Sequence, residues 1–212
     1  VFREHGIFGL FFDEADGGLG TGALLGLVAI EEVSKACATS GLILAVQELG
    51  SLGLKLAGTP GQRAAWLPRL ATGEVLAAYA LTEAGSGSDS AAMRTTARRD
   101  DDGWVLDGTK RFITNAGVAG LYTVFAKTDP GAGHAGVSAF LVEADRPGFE
   151  VARLEEKMGI TGSTTGELVF EAARIPAANI LGEEGEGFRI AMRILDRSRP
   201  GVAAQGLGIA QI

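Results

Sequence analysis

The residues best suited to chemistry gather in one stretch, ALTEAGSGSD from Ala80 to Asp89, where Glu83 and Asp89 bracket Gly85, Ser86, Gly87 and Ser88 directly after an apolar run. A loop of this composition has a flexible backbone whose consecutive N–H groups can line an anion-binding concavity, and Ser86 and Ser88 can donate to a phosphate or a carbonyl. It is not a dinucleotide fingerprint. That motif needs a third glycine where Ser90 stands and a helix to receive the pyrophosphate, whereas strand-like sequence follows here. Nor is it a P-loop, which requires Gly-Lys-Ser/Thr. The residues alone leave two readings: a ligand-binding loop, or a polar turn in which Asp89 caps the next segment.

Other chemistries find little support. His5 and His134 are the only histidines, and neither stands in a metal-ligand spacing, which leaves no metal site and no Ser-His-Asp triad. Cys37 is the single cysteine, so no disulfide can form within the chain and a reducing compartment is expected. Its apolar-periodic surroundings predict a buried, inert thiol. The net charge of −7, with acids spread along the chain, excludes the basic face of a nucleic-acid binder. Gln47, Glu48 and Lys55 interrupt the most apolar stretch before it reaches the ~18 residues of a membrane span, and the chain reads as soluble and cytoplasmic.

The 212 residues suffice for one large domain or two modest ones. Up to about Gly73 the pattern is helical: Leu24, Leu27, Val28, Ile30 and Val33 recur at helical spacing, GLILAVQELGSLGLKLAG repeats the pattern, and Thr59-Pro60 is a cap and first-turn proline for a third helix. From about Glu74 the period falls to two. Asp102-Gly103 and Asp107-Gly108 each predict a hairpin turn, and YTVFAKT, VSAFLVEA, GFEVARLEE and GELVFEAARI read as further short strands of a sandwich or barrel. After Gly185 the helical pattern returns and runs to LGIAQI with no stop signal; with Val1 in first place, the chain is expected to be part of a longer protein.

Taken together, YALTEAGSGSD, DGTKRFITNA, FLVEADRPGFEV, EKMGITGSTTGELVFEAARIPAANILGEEGEGF and LDRSRPGVAAQGLGIAQ occur in the order and spacing of the acyl-CoA dehydrogenase family, which the whole chain resembles. The resemblance implies an α+β fold: a helical N-terminal domain over residues 1–76, a β-barrel-like middle domain over 77–183, and over 184–212 the first helix of a helical bundle that lies further on. It implies flavin adenine dinucleotide (FAD) as cofactor and an acyl-CoA as substrate. An electron-transfer flavoprotein is the implied acceptor, and the whole protein would be a homotetramer in fatty-acid β-oxidation.

Carried over residue by residue, the resemblance places Tyr79, Leu81, Thr82, Gly87 and Ser88 along the flavin, with Ser88 also near the coenzyme A moiety. Ile113 would run its backbone along the ring, and Thr114 would bond near flavin N5. Phe112 stands where the family usually has a stacking Trp, offering an apolar face but a smaller one and no indole N–H. Asp196 and Arg199 match the substrate-contacting pair, one helical turn apart. Glu83 would be structural rather than catalytic. The catalytic base would be a Glu beyond Ile212, since Ser198 occupies the alternative position used by a subset of members. Rival readings on the same scaffold are a flavin oxidase, an acyl-carrier dehydrogenase, or a non-catalytic assembly module.

Overall fold

The computed structural model describes residues 1–211. Short 3-10 turns at Ile7–Phe11 and Glu14–Asp16 lead into three helices, α1 (Gly22–Ala36), α2 (Ala38–Ala57) and α3 (Pro60–Ala71). A mixed sheet follows, with β1 (Ala77–Ala80), β2 (Thr96–Asp100), β3 (Gly103–Thr114), β4 (Leu121–Lys127), β5 (Val137–Glu143), β6 (Phe149–Leu154), β7 (Thr165–Pro176) and β8 (Ile180–Leu181), and the described chain closes with α4 (Gly187–Ala210). The order of helices, sheet and helix is the one expected from the change of period.

The start of α3 is fixed by its capping box: Gln62 N–H donates to Thr59 Oγ1 at 3.2 Å while Thr59 N–H donates to Gln62 Oε1 at 2.8 Å, with Pro60 in the first turn. The strands follow one path, β6-β7-β3-β2-β4-β5-β8, with β1 added in parallel to β4. Folded on itself, the sheet encloses Trp104 and Leu106 of β3 and Phe170 of β7 together with Tyr122, Val124, Phe140 and Val142 of β4 and β5. The opposite side of β4 and β5 packs on the helices through Leu52, Leu54, Leu121, Phe125, Leu141, Ile190 and Ile194.

Two sequence expectations need correction. The β2–β3 hairpin forms where the first Asp-Gly pair predicts one, but its turn is Asp101-Asp102 and Gly103 already pairs with Asp100; Asp107-Gly108 lies inside β3 at a break in its register with β7. There Asp107 Oδ1 accepts the N–H of Ala172, itself at φ 47°, across the irregularity at 2.8 Å; the pair makes a bulge, not a turn. Cys37 is exposed, because it sits in extended conformation at the break between α1 and α2 and so on no core-facing stripe. Bonding to Ser40 holds its thiol below the ordinary value.

Gln47, which the sequence offers only as a polar interruption, ties the helices to the sheet. Fully buried, it donates to Leu70 O (2.8 Å) and Val75 O (2.9 Å) and accepts from Ala77 N–H (2.9 Å). Asn115 takes the other half of the same residue by donating to Ala77 O at 2.8 Å. One turn along α2, a Cβ on Gly50 would stand 2.6 Å from the Ala77 side chain, so the helix backbone lies close against β1. Gln47→Leu keeps the volume but strands Val75 O and Ala77 N–H, at about 1–3 kcal/mol for each left unsatisfied, while Leu70 O keeps the N–H of Gly73. Urea unfolding is expected to show a loss of at least about 2 kcal/mol relative to wild type.

Candidate functional site

At Ala80 the chain leaves the sheet and does not rejoin it until Thr96, so β1 and β2 are the fixed ends of a long loop. A buried ion pair closes this loop. Lys110, fully buried on β3, donates from Nζ to Glu83 Oε1 at 2.8 Å and to Leu81 O at 3.2 Å. The Glu83 carboxylate, itself 8% exposed, also accepts the N–H groups of Arg94 (2.6 Å) and Thr95 (3.1 Å). One side chain thus binds both the entrance and the exit of the loop, and Lys110 fastens it to the sheet. The next residue on β3 adds a main-chain bond, Arg111 N–H to Thr82 O at 2.8 Å. Burial pushes the Glu83 carboxyl up, but Lys110 and the N–H donors outweigh it and hold the carboxyl below its ordinary value. Burial pulls the Lys110 amine down to about 8 despite Glu83, so it stays largely protonated at neutral pH. Glu83 thus acts as a structural carboxylate, Oε1 accepting from Lys110 and Thr95 and Oε2 from Arg94.

Within the loop, Glu83 and Ser86 exchange main-chain hydrogen bonds at 3.0 and 3.2 Å, and Ser86 Oγ donates to Asp89 O at 2.8 Å. The Ser86 hydroxyl is thereby spent on the turn, and Asp89 makes no side-chain cap on the segment that follows. Gly87 and Ser88 are exposed, and a side chain at Gly87 would meet open space. The hydroxyls of Thr82 and Ser88 have no hydrogen-bond partner among the described residues, in contrast to Ser86.

A second irregularity in β3 explains how the strand presents its residues. Between Lys110 and Ile113 the register with β7 shifts, so both of these side chains point inward, only three residues apart. Phe112 is turned outward, 59% exposed, at φ 58°. A left-handed backbone at a bulky residue costs of order 1–3 kcal/mol and persists where surrounding structure imposes it, commonly at functional sites. Here the constraint comes from both sides: Arg111 is bonded to Thr82 and within 3.0 Å of both Glu155 and Glu167, and Asn115, at φ 67°, is held by Ala77 and by Thr164 O. Ile113 and Thr114 pair with Gly166 and Thr165 of β7, and Thr114 keeps its hydroxyl without a partner among the described residues.

Thr82, Phe112, Ile113 and Thr114 are thus brought together by the Arg111–Thr82 bond, with Gly87 and Ser88 on the same loop. The side chains of Leu81 and Ile113 are core, leaving only their main chains, and the Leu81 carbonyl is already taken by Lys110. Tyr79 packs edge-on against Phe125 with its hydroxyl 3.5 Å from Ala191 O, and burial holds its phenol above the ordinary value. Its ring joins β1 to α4. On α4, Asp196 and Arg199 bond each other at 2.9 Å on the exposed face. They make no hydrogen bond to the loop among the described residues. Ser198 Oγ bonds back to Leu195 O at 3.2 Å.

Sequence reasoning missed Lys110, Gln47 and Asn115. The available signal was a lysine and an asparagine flanking a strand core, opposite a glutamate that follows a strand.

Residues 1–74 match the acyl-CoA dehydrogenase N-terminal domain and residues 78–173 the acyl-CoA dehydrogenase middle domain. The chain belongs to the acyl-CoA dehydrogenase family. It is 46% identical over 210 residues, 98% of this chain and 53% of the relative, to the acryloyl-CoA reductase (NADH) of Anaerotignum propionicum. Among solved structures, butyryl-CoA dehydrogenase of Megasphaera elsdenii superposes with a TM-score of 0.95 at 43% identity, covering 99% of this chain and 56% of that one. An acyl-CoA dehydrogenase of Bacillus anthracis, solved in complex with FAD, gives 0.92 at 40%, covering 99% and 36%. The chain spans about half the length of the curated relatives it matches.

The buried pair makes a test of its own. Removing one partner should cost about 3–5 kcal/mol, because the other is left charged and buried. The double variant Glu83→Gln/Lys110→Met should cost less than the sum of the singles in a urea-unfolding cycle. Since the folded-state carboxyl of Glu83 lies below its ordinary value, its contribution is present above the usual carboxylate range and is lost as pH falls through the lowered value. The acid arm of the stability profile is expected to be shallower in Glu83→Gln than in wild type.

Proposed function

We propose that the whole protein is an FAD-dependent acyl-CoA dehydrogenase, forming a trans-2-enoyl-CoA from a saturated acyl-CoA thioester. The observation that carries this reading is the exposed, strained Phe112 beside the hydroxyls of Thr82 and Thr114, which have no partner among the described residues. The donor set suits the group: an apolar ring face for the flat isoalloxazine, neutral hydroxyl and N–H donors for its polar edge, and an exposed Gly87-Ser88 main chain for the pyrophosphate. Phe112 would stack on the ring, with Leu81 and Ile113 contributing backbone along it. Thr114 would bond near the reacting nitrogen, and the Tyr79 ring would brace the strand behind. Bound there, FAD supplies the acceptor for the hydrogen that leaves the β-carbon with its electron pair. The rest of the reaction is removal of the α-proton by a carboxylate, made feasible by polarisation of the thioester carbonyl.

Ser88, Asp196 and Arg199 are assigned to the coenzyme A end of the substrate. Residues 1–76, 77–183 and 184–212 are read as the helical domain, the sheet domain and the first helix of a further helical domain. An electron-transfer flavoprotein as acceptor, a homotetrameric assembly, a cytoplasmic location and a place in β-oxidation complete the reading. No described helix is long and apolar enough to cross a membrane.

The name of the Anaerotignum relative favours a second reading, in which the same site runs in reverse and reduces an enoyl-CoA. Anaerobic titration separates the two. The whole protein, purified with FAD, is expected to lose its oxidised-flavin absorbance on addition of butyryl-CoA and to release crotonyl-CoA. Phe112→Ala should weaken FAD binding about tenfold, consistent with the ~1.5 kcal/mol that an aromatic contact can contribute. A yellow protein inert to acyl-CoA but oxidising NADH with an enoyl-CoA would support the reverse direction. A colourless protein that cannot be reconstituted with FAD would overturn both.

A further inference from the structure

The Glu83–Lys110 pair is bonded to the segments assigned to the flavin, and its charges are of a kind that a redox centre senses. Lys110 touches the ring's surroundings only through others: its Nζ holds Leu81 O, while the adjoining Arg111 N–H holds Thr82 O and the next residue is the outward-turned Phe112. Both partners are buried, so little water screens them. Among the described residues, the polar atoms within hydrogen-bonding distance of the two charged groups belong to the loop ends and Met93, whose Sδ lies 3.9 Å from Lys110 Nζ. Among the described residues, no third charged side chain is bonded to the pair.

Resting on the reading above that FAD binds along residues 79–88 and 112–114, we propose that Lys110 and Glu83 form a positioning pair whose opposed charges bias the reduction potential of that flavin in opposite directions and hold it between the two. Two-electron reduction adds negative charge to the ring. A buried cation beside it favours the reduced form and a buried anion disfavours it, so the intact pair largely cancels and each half alone does not. This gives a signature that a purely structural role would not: the two single substitutions move the potential in opposite directions. A structural clamp, when broken from either side, loosens the same loop and moves any property in one direction.

The test is the flavin midpoint potential of the whole holoprotein, by anaerobic dye equilibration, for wild type, Glu83→Gln, Lys110→Met and Lys110→Arg. Glu83→Gln is measured at pH 6 and Lys110→Met at pH 8, the direction of pH that favours the charged form of the remaining partner, each against wild type at the same pH. The expected result is a higher potential in Glu83→Gln and a lower one in Lys110→Met, each about a tenfold change in the preference for reduced over oxidised flavin, or about 30 mV for a two-electron couple. Lys110→Arg, which keeps the charge, should stay near wild type. Should Lys110→Met not fold, Glu83→Gln decides alone: an unchanged or lowered potential overturns the proposal, as do shifts of the same sign in both variants. A wild-type protein that binds no FAD overturns the functional reading instead, so the two failures are distinguishable.

Discussion

A lysine and a glutamate removed from water together hold this site. Neither charge could be buried alone without a cost of several kcal/mol, and each is acceptable only because the other, and a full set of N–H and carbonyl partners, meets it. The consequence is geometric. Because Glu83 binds Arg94 and Thr95 as well as Lys110, the long excursion between β1 and β2 is tied at its neck, and Gly85, Gly87 and Ser88 at its tip face outward. Those glycines supply adaptable main chain at the surface; they do not by themselves place the loop.

The strain in β3 belongs to the same arrangement. Lys110 must point inward to reach Glu83, and Ile113 must point inward to fill the core beside Leu168 and Ala116. A regular strand cannot satisfy both, since side chains three apart fall on opposite faces. The shift in register resolves the conflict and turns Phe112 outward with a left-handed backbone. The aromatic surface is thus a product of core requirements on either side of it. Gln47 and Asn115 then fix β1, by its Ala77 amide, to the helices and to the end of β3, so that both halves of the site share one rigid support.

Much of this organisation could be read in the sequence. Helical spacing, the Thr59-Pro60 cap and the hairpin signal before Gly103 specify local structure through local physics, and the ordered motifs pointed to the family. The Asp107-Gly108 pair misled because a turn signal and a bulge signal use the same residues, and only the partner strand distinguishes them. Cys37 misled because its apolar neighbours belong to two different helices. The pairing of Glu83 with Lys110 spans 27 positions, and no periodicity connects residues so far apart. The resemblance implied a structural Glu83, but its function as a clasp is visible only when both ends of the loop are seen on one carboxylate.

Amide hydrogen exchange at Arg94 and Thr95, compared between wild type and Glu83→Ala, tests most directly whether this carboxylate closes the loop. The account predicts that both amides are protected in wild type and lose protection in the variant, while amides of β4 and β5 retain theirs. Unchanged protection at Arg94 and Thr95 would contradict it.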